Sequence, residues 1–443
     1  MNGQKEPPSG MGILFLVVLI DLIGLTLVIP FLTYFVQDLA TSDGFTEIGQ
    51  RDLWVGIMLA AYTFGQFLFT PILGALSDRM GRRPIIMFGL ISNTIFFIAF
   101  GLSGSLWFAL IVRFLAGAGN GNIAVARAYI GDISTPAQLK GRMGMIGAAF
   151  GLGFMIGPFL GGVLTDPYTN FGGIFLSPWW QSHPYFLPCL VAGALSAISF
   201  VLAIRQLPES LPIESRTKVE AKENFLRQIS GNLIEIQDLS VPVRILILVN
   251  SLFLFAFTIM HTTFILFTAM PVAQGGLGYD AKANGYIFAF VGLMGVMVQG
   301  GFMRSSLAER LDTRKMMVFG LLVCGLGLGW IPYLTPESFI IVLLPMACIA
   351  LGNGLFQPTQ STLVTLEARA TQSDLGRVMG AQEGYGSLAR ILGPILAAFV
   401  WAETVNGSGF WTYHTVFRLS CFLTVVAALA QVSLKLTSPQ EDE

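Results

Sequence analysis

The chain has 443 residues, 54% of them hydrophobic and only 12% charged, and a formal net charge of −1. A soluble domain is usually about one quarter charged, so a water-soluble globular protein is excluded and most of the outer surface must face lipid. The near-zero balance gives no hint of a nucleic-acid partner. The four cysteines (Cys189, Cys324, Cys348, Cys421) all sit in apolar runs and form neither a disulfide framework nor a zinc motif.

Apolar runs long enough to cross a bilayer, about 20 residues, fall near 11–36, 53–76, 84–102, 105–129, 142–165, 184–204, 243–270, 283–303, 316–332, 338–361, 376–401 and 414–434. The run starting at Met11 is too long for a cleavable leader and leads straight into further spans. An open strand edge in lipid leaves backbone groups unpaired, so the spans are expected to be helices. Nineteen of the 25 Lys and Arg residues lie in connections on the same side as the two termini. Only Arg51 and Lys282 lie in the opposite connections, while Arg113, Arg127, Arg390 and Arg418 lie within spans. That asymmetry puts both termini in the cytoplasm, and the short amino-terminal segment and compact central connection favour a bacterial inner membrane.

Asp21, in "LVVLIDLIGLTLVIPF", is ten positions into the first span, roughly 15 Å deep at 1.5 Å per residue. A carboxylate there costs about 2.5–3.5 kcal/mol or more, which makes function its default explanation. Low dielectric favours the neutral acid and a nearby cation favours the carboxylate. Such a group can trade a proton for a substrate or an ion pair; the alternative is a structural carboxylate permanently paired to arginine. After the second span, "GALSDRMGRRPIIMFG" (74–89) places Asp78, Arg79, Arg82 and Arg83 within six positions, beside Gly74 and Gly81. Asp78 can pair with the arginines at the helix end, or the arginines can serve topology alone. The fourth span carries Arg113 in "IVRFLAGAGNGN", with Asn120 and Asn122 beyond it. The fifth carries Gly153, Gly157, Pro158, Gly161 and Gly162, and glycines four apart let a neighbouring backbone come close.

The longest connection separates residues 1–204, a first six-helix bundle, from 243–443, a second. Within 205–242, Phe225, Ile229, Leu233 and Ile236 recur at helical spacing and could form an amphipathic helix on the inner membrane face or a solvated linker. In the eleventh span Glu383 and Arg390 are seven residues apart and so share a face, either as a structural pair or as substrate contacts. His261, Asn250, Gln299, Asn353 and Gln357 are weaker candidates for a cavity wall. "LSDRMGRRPIIMFG" (76–89) aligns with "LAERLDTRKMMVFG" (307–320), "GNG" at 119–121 recurs at 352–354, and the Gly-Pro pairs ending at 158 and 394 follow in the same order. The halves are repeats.

"GALSDRMGRRP" resembles the signature loop of the major facilitator superfamily, and the resemblance extends over the whole chain. It implies an all-α integral membrane protein of twelve helices in two pseudo-symmetric six-helix bundles. It also implies that Asp78, Arg82 and Asp132 (in "YIGDIS") form a charge relay latching the outward-facing state. D-x-x-G-x-x-x-x-x-P (Asp21, Gly24, Pro30) is similar to the first-helix motif of proton-coupled drug antiporters. R-x-x-x-G at Arg113 matches a further motif, implying that Arg113 partners Asp21 at a central cavity which Asn120 and Asn122 also line. G-x-x-x-G-P-x-x-G-G (153–162) resembles the antiporter motif of exporters, and "LPESL" (207–211) matches the tetracycline-resistance branch. That branch includes vertebrate members linked to organic anions. The expected function is proton-coupled export of amphipathic small molecules by alternating access, with the substrate, protons and the bilayer as partners and the chain acting as a monomer. A facilitator or carrier of a metabolite or lysolipid on the same fold is the alternative. No G-x-x-x-x-G-K-[ST], H-E-x-x-H or G-x-S-x-G occurs, so no cofactor, metal or enzymatic chemistry is expected.

Overall fold

Twelve helices long and apolar enough to cross a membrane run through the computed structural model, which describes residues 10–165, 177–216, 235–373 and 375–434. They are α1 (Met11–Ser42), α2 (Ile48–Met80), α3 (Arg82–Gly101), α4 (Leu106–Ile133), α5 (Pro136–Leu164) and α6 (Phe186–Gln206). The second half contains α7 (Val241–Ala269), α8 (Ala281–Arg304), α9 (Thr313–Tyr333), α10 (Phe339–Ala370), α11 (Leu375–Thr404) and α12 (Thr415–Ser433). Among the described residues no strand occurs. The amphipathic stretch expected around Phe225, Ile229 and Leu233 lies outside the described residues.

Local chemistry sets several boundaries. Thr135 and Gln138 form a reciprocal capping box that starts α5. Asp280 and Asp312 each accept a backbone N–H at 2.7 Å, capping α8 and α9. Helix α1 is interrupted at Val28, two residues before Pro30, and α4 breaks at Asn120–Gly121. The segment that resembles a signature loop, 74–84, is almost entirely helical. Helix α2 continues to Met80, α3 begins at Arg82, and the turn is reduced to Gly81, whose φ of 106° suits glycine.

The sequence repeat is also a packing repeat. In the first half α1 packs on α5 and α6, α2 on α4, and α3 on α6; in the second α7 packs on α11 and α12, α8 on α10, and α9 on α12. The two bundles meet along two seams, α5 against α8 and α2 against α11. We call the end where α1 begins and α12 finishes the basic end, and the opposite one the far end.

The glycine motif of α5 faces both neighbours at once. A Cβ on Gly157 would fall 2.0 Å from the Thr26 hydroxyl, and one on Gly161 2.0 Å from the Leu27 carbonyl, both on α1. A Cβ on Gly162 would fall 2.9 Å from the Ala281 carbonyl of α8. Thr26 Oγ1 donates to the Gly153 carbonyl at 2.8 Å, tying α1 to α5 where their backbones touch. Gly161→Ala therefore has no room to relax, and overpacking at a site like this costs about 1–3 kcal/mol. Its thermal unfolding midpoint should fall in purified protein. Gly147→Ala, where a Cβ meets nothing within 4 Å, should leave the midpoint unchanged or raise it.

Candidate functional site

Asp21 is 4% exposed and held by two side-chain amides. Asn93 Nδ2 of α3 donates to Oδ1 at 2.6 Å, and Asn122 Nδ2 of α4 donates to Oδ2 at 3.3 Å. The expected pairing with Arg113 does not occur. Helical rise explains why: Asp21 and Asn93 lie ten and eleven residues from the basic end of their helices, and Asn122 eleven from the basic end of α4. Arg113 is nine residues further along, roughly 13 Å. Its guanidinium lies over the rings of Tyr62 (4.8 Å) and Phe100 (5.3 Å), buried inside the first bundle. Asn120 and Asn122 face the bundle interior and not an open cavity: Asn120 donates to the Tyr62 hydroxyl at 2.6 Å, and both residues are at most 4% exposed.

Two amide donors, worth roughly 1.5–3 kcal/mol each to a charged acceptor, are comparable with the cost of about 2.5–3.5 kcal/mol for a carboxylate at mid-bilayer. An amide can also accept from a protonated acid by turning its oxygen inward. Asn122 Oδ1 is buried without a partner and so is available for that role. The pocket can therefore hold Asp21 with or without a proton.

At the basic end the charges do converge. Arg82 bonds Asp78 at 2.6 Å, Asp132 at 3.0 Å and Ser77 at 2.7 Å. Glu209, in the segment after α6, accepts from the backbone N–H groups of Arg82 (2.8 Å) and Arg83 (3.2 Å), a carboxylate at the start of α3. Ser210 Oγ donates to Asp132 at 2.9 Å, and the Tyr129 hydroxyl to the Pro208 carbonyl at 2.9 Å. Arg83 donates to the Ile204 carbonyl at the end of α6. Its repeat partner Arg314 likewise donates to the Gln431, Val432 and Leu434 carbonyls at the end of α12. The degenerate second copy keeps this helix cap and loses the Arg82 centre. Among the described residues, no bond of the Arg82 network crosses to the second bundle. Beside Gly74 there is open space within 4 Å, while Arg79 is exposed.

The far end is sealed between the bundles. Asp52 of α2, 2% exposed, accepts from Trp401 Nε1 of α11 at 2.9 Å, from Gln37 at 2.7 Å and from Arg51 at 3.1 Å. The Tyr34 hydroxyl of α1 donates to the Tyr279 carbonyl at 2.7 Å and accepts from Asn284 of α8 at 2.8 Å. Gly49 meets Ala402, and Gly56 meets Pro394 and Ala398. Thr63 donates to the Arg390 carbonyl at 3.4 Å. Towards the basic end the same face of α11 opens: the Glu383 side chain is 66% exposed and Arg390, with which it is paired, 34%. A cleft thus lies between α2 and α11, closed at the far end.

Of the weaker candidates, His261 sits among Phe257 and Phe288, Asn250 is buried, and Gln299 is exposed in a π-turn of α8. Asn353 and Gln357 are half-buried on α10. Sequence reasoning missed Asn93, Asp52, Trp401 and Glu209. Asn93 had a signal, a polar residue at the depth of Asp21. Asp52 lies so near a span end that it resembles an interfacial charge, and Glu209 was noticed only as part of a motif.

Two six-helix bundles around a cleft with one sealed end are the framework of a membrane transporter, and neither the fold nor the relatives are those of an enzyme. The sequence profile of the Major Facilitator Superfamily matches residues 14–394 and 305–443, and the chain belongs to that superfamily. It is 25% identical to the class D tetracycline resistance protein of Salmonella ordonez, over 88% of this chain and 89% of that one. Among solved structures, the human organic anion transporter MFSD10 superposes with a TM-score of 0.68 at 23% identity, covering 96% of this chain and 100% of that one. A D-xylose-proton symporter superposes with a TM-score of 0.74 at 14% identity, covering 97% and 98%.

Trp401→Phe removes the indole donor while Asp52 keeps its partners within the first bundle. A hydrogen bond to a charged group contributes about 1.5–3 kcal/mol, so the population open at the far end should rise about tenfold or more. Spin labels at Thr41→Cys and Asn406→Cys, on opposite bundles at that end, should report a longer distance in the Trp401→Phe background.

Proposed function

We propose that this transporter exports amphipathic small molecules in exchange for protons, with Asp21 as the group that takes up and releases the proton. The observation that supports the reading is the Asp21 pocket: a carboxylate in the middle of a bundle, held among the described residues by two neutral amides that suit either protonation state. Relatives named for tetracycline resistance and for organic anion transport support small-molecule cargo. The glycine motif supports export, and the Lys and Arg asymmetry supports placing the basic end in the cytoplasm. Alternating access then consists of opening the Asp52–Trp401 and Tyr34–Asn284 contacts at the far end while the cleft closes at the other. Closure would bring α11 onto the open Gly74 face of α2, and the Arg82 network would hold the α2–α3 turn rigid as it docks.

The test is uptake into inside-out proteoliposomes with an acid interior, using tetracycline, a lipophilic cation dye, an organic anion and a lysolipid. Accumulation of one of them should collapse with the pH gradient and in Asp21→Asn, which should stay folded and still exchange substrate passively. Gradient-driven accumulation by Asp21→Asn would overturn the assignment. Equilibration without accumulation in the unaltered protein would favour a facilitator or lipid carrier.

Asp78→Asn weakens one half-exposed ion pair and leaves Arg82 its bonds to Asp132 and Ser77. A pair of that kind is worth about 0.2–1 kcal/mol, so turnover should fall roughly two- to fivefold with substrate affinity retained. Unchanged turnover would leave the charges a topological role only.

A further inference from the structure

Arg390 is the sixteenth residue of the 30-residue helix α11, roughly 22 Å from either end at 1.5 Å per residue. A charge at that depth is expected only in a protein interior or a water-filled path. Beyond its first residue, Leu375, the large exposed apolar residues of α11 are Leu392, Ile395 and Phe399, which mark its lipid face. With 3.6 residues per turn, Glu383, Ser387 and Arg390 fall roughly half a turn away, in line with Pro394 and Ala398, which pack on α2. Their exposure is therefore to the cleft between the bundles. Among the described residues the guanidinium makes two hydrogen bonds, both from Nη2, one to Glu383 and one to Ser387 Oγ at 3.0 Å, and Nη1 makes none.

The two members of the pair differ in how readily they can be left alone. Glu383, 66% exposed and nearer the mouth, loses little when its partner is taken. Arg390, 34% exposed and at mid-span, loses more. A ligand that takes Arg390 from Glu383 is thus favoured over one that takes Glu383 from Arg390. Guanidinium presents a planar fork suited to carboxylate, sulfonate or phosphate.

We propose that Arg390 is the docking point for the acidic group of an amphipathic organic anion, and that Glu383 is an internal competitor which the ligand displaces. The proposal rests on the reading of the cleft as the substrate path. Its unusual consequence is that removing the acidic member of the pair strengthens binding of an acidic ligand.

The experiment measures binding of three probes with one apolar body, pyrenebutyrate, pyrenebutanol and pyrenebutyl-trimethylammonium, to the full chain in nanodiscs by energy transfer from tryptophan, with empty nanodiscs as background. The unaltered protein should prefer pyrenebutyrate. Glu383→Gln should bind pyrenebutyrate roughly two- to fivefold tighter, the share released from a half-exposed ion pair. Arg390→Gln should lose that preference by about tenfold or more. Arg390→Lys, which keeps the charge but not the fork, should fall between and guards against misfolding of the Gln variant. Unchanged or weaker pyrenebutyrate binding by Glu383→Gln, or preference retained by Arg390→Gln, would overturn the proposal. Because the readout is binding without a gradient, it can fail while Asp21-dependent accumulation holds, and it can succeed where proton coupling fails.

Discussion

Helix α5 is held at backbone distance from two neighbours at once, α1 of its own bundle and α8 of the other, and the rest of the arrangement depends on that contact. Lipid offers no hydrophobic drive for apolar helices to associate, so close van der Waals approach and interhelical hydrogen bonds must supply it. Gly153, Gly157 and Gly161 let α1 come in until Thr26 can bond the Gly153 carbonyl, and Gly162 lets α8 come in on the adjoining face. The polar side-chain contacts that cross between the bundles lie at the far end.

The polar contacts are layered by depth. At the far end Asp52–Trp401 and Tyr34–Asn284 cross between bundles and seal. At the basic end the Arg82 network stays within one bundle and stiffens the α2–α3 turn through Asp78, Asp132 and Glu209. Between these levels lie Asp21, enclosed in the first bundle, and the Arg390–Glu383 pair, open to the cleft on the second. The group proposed to bind the proton and the one proposed to bind the ligand need not touch to be coupled. It is enough that both favour the same access state.

The repeat sharpens the distinction between scaffold and device. Arg83 and Arg314 cap the ends of α6 and α12 in the same way, so that part of the signature serves architecture in both halves. Arg82 has no counterpart in the second copy, where Thr313 stands at the repeat position, and its ion pairs exist only in the first.

Hydropathy and the spacing of small residues made the twelve spans, the internal repeat and the class of fold legible, because a bilayer imposes a length and a composition on every crossing. Intramembrane charges were legible for the same reason: Asp21, Arg113, Glu383 and Arg390 stand out against apolar neighbours. Counting residues from a span end gives each one's depth, and that count already sets Arg113 apart from Asp21. Which side chains then meet was decided only by tertiary structure, since partners such as Asn93, Asn122 and Trp401 come from helices 72 to 349 residues away. Rotation of each helix about its axis is set by packing against several neighbours together. The sequence by itself determined that buried charges exist and how deep they lie, and only the packed bundle decided that Asp21 is held by amides, that Arg113 lies over aromatic rings and that Asp52 is shared between its own bundle and a tryptophan of the other.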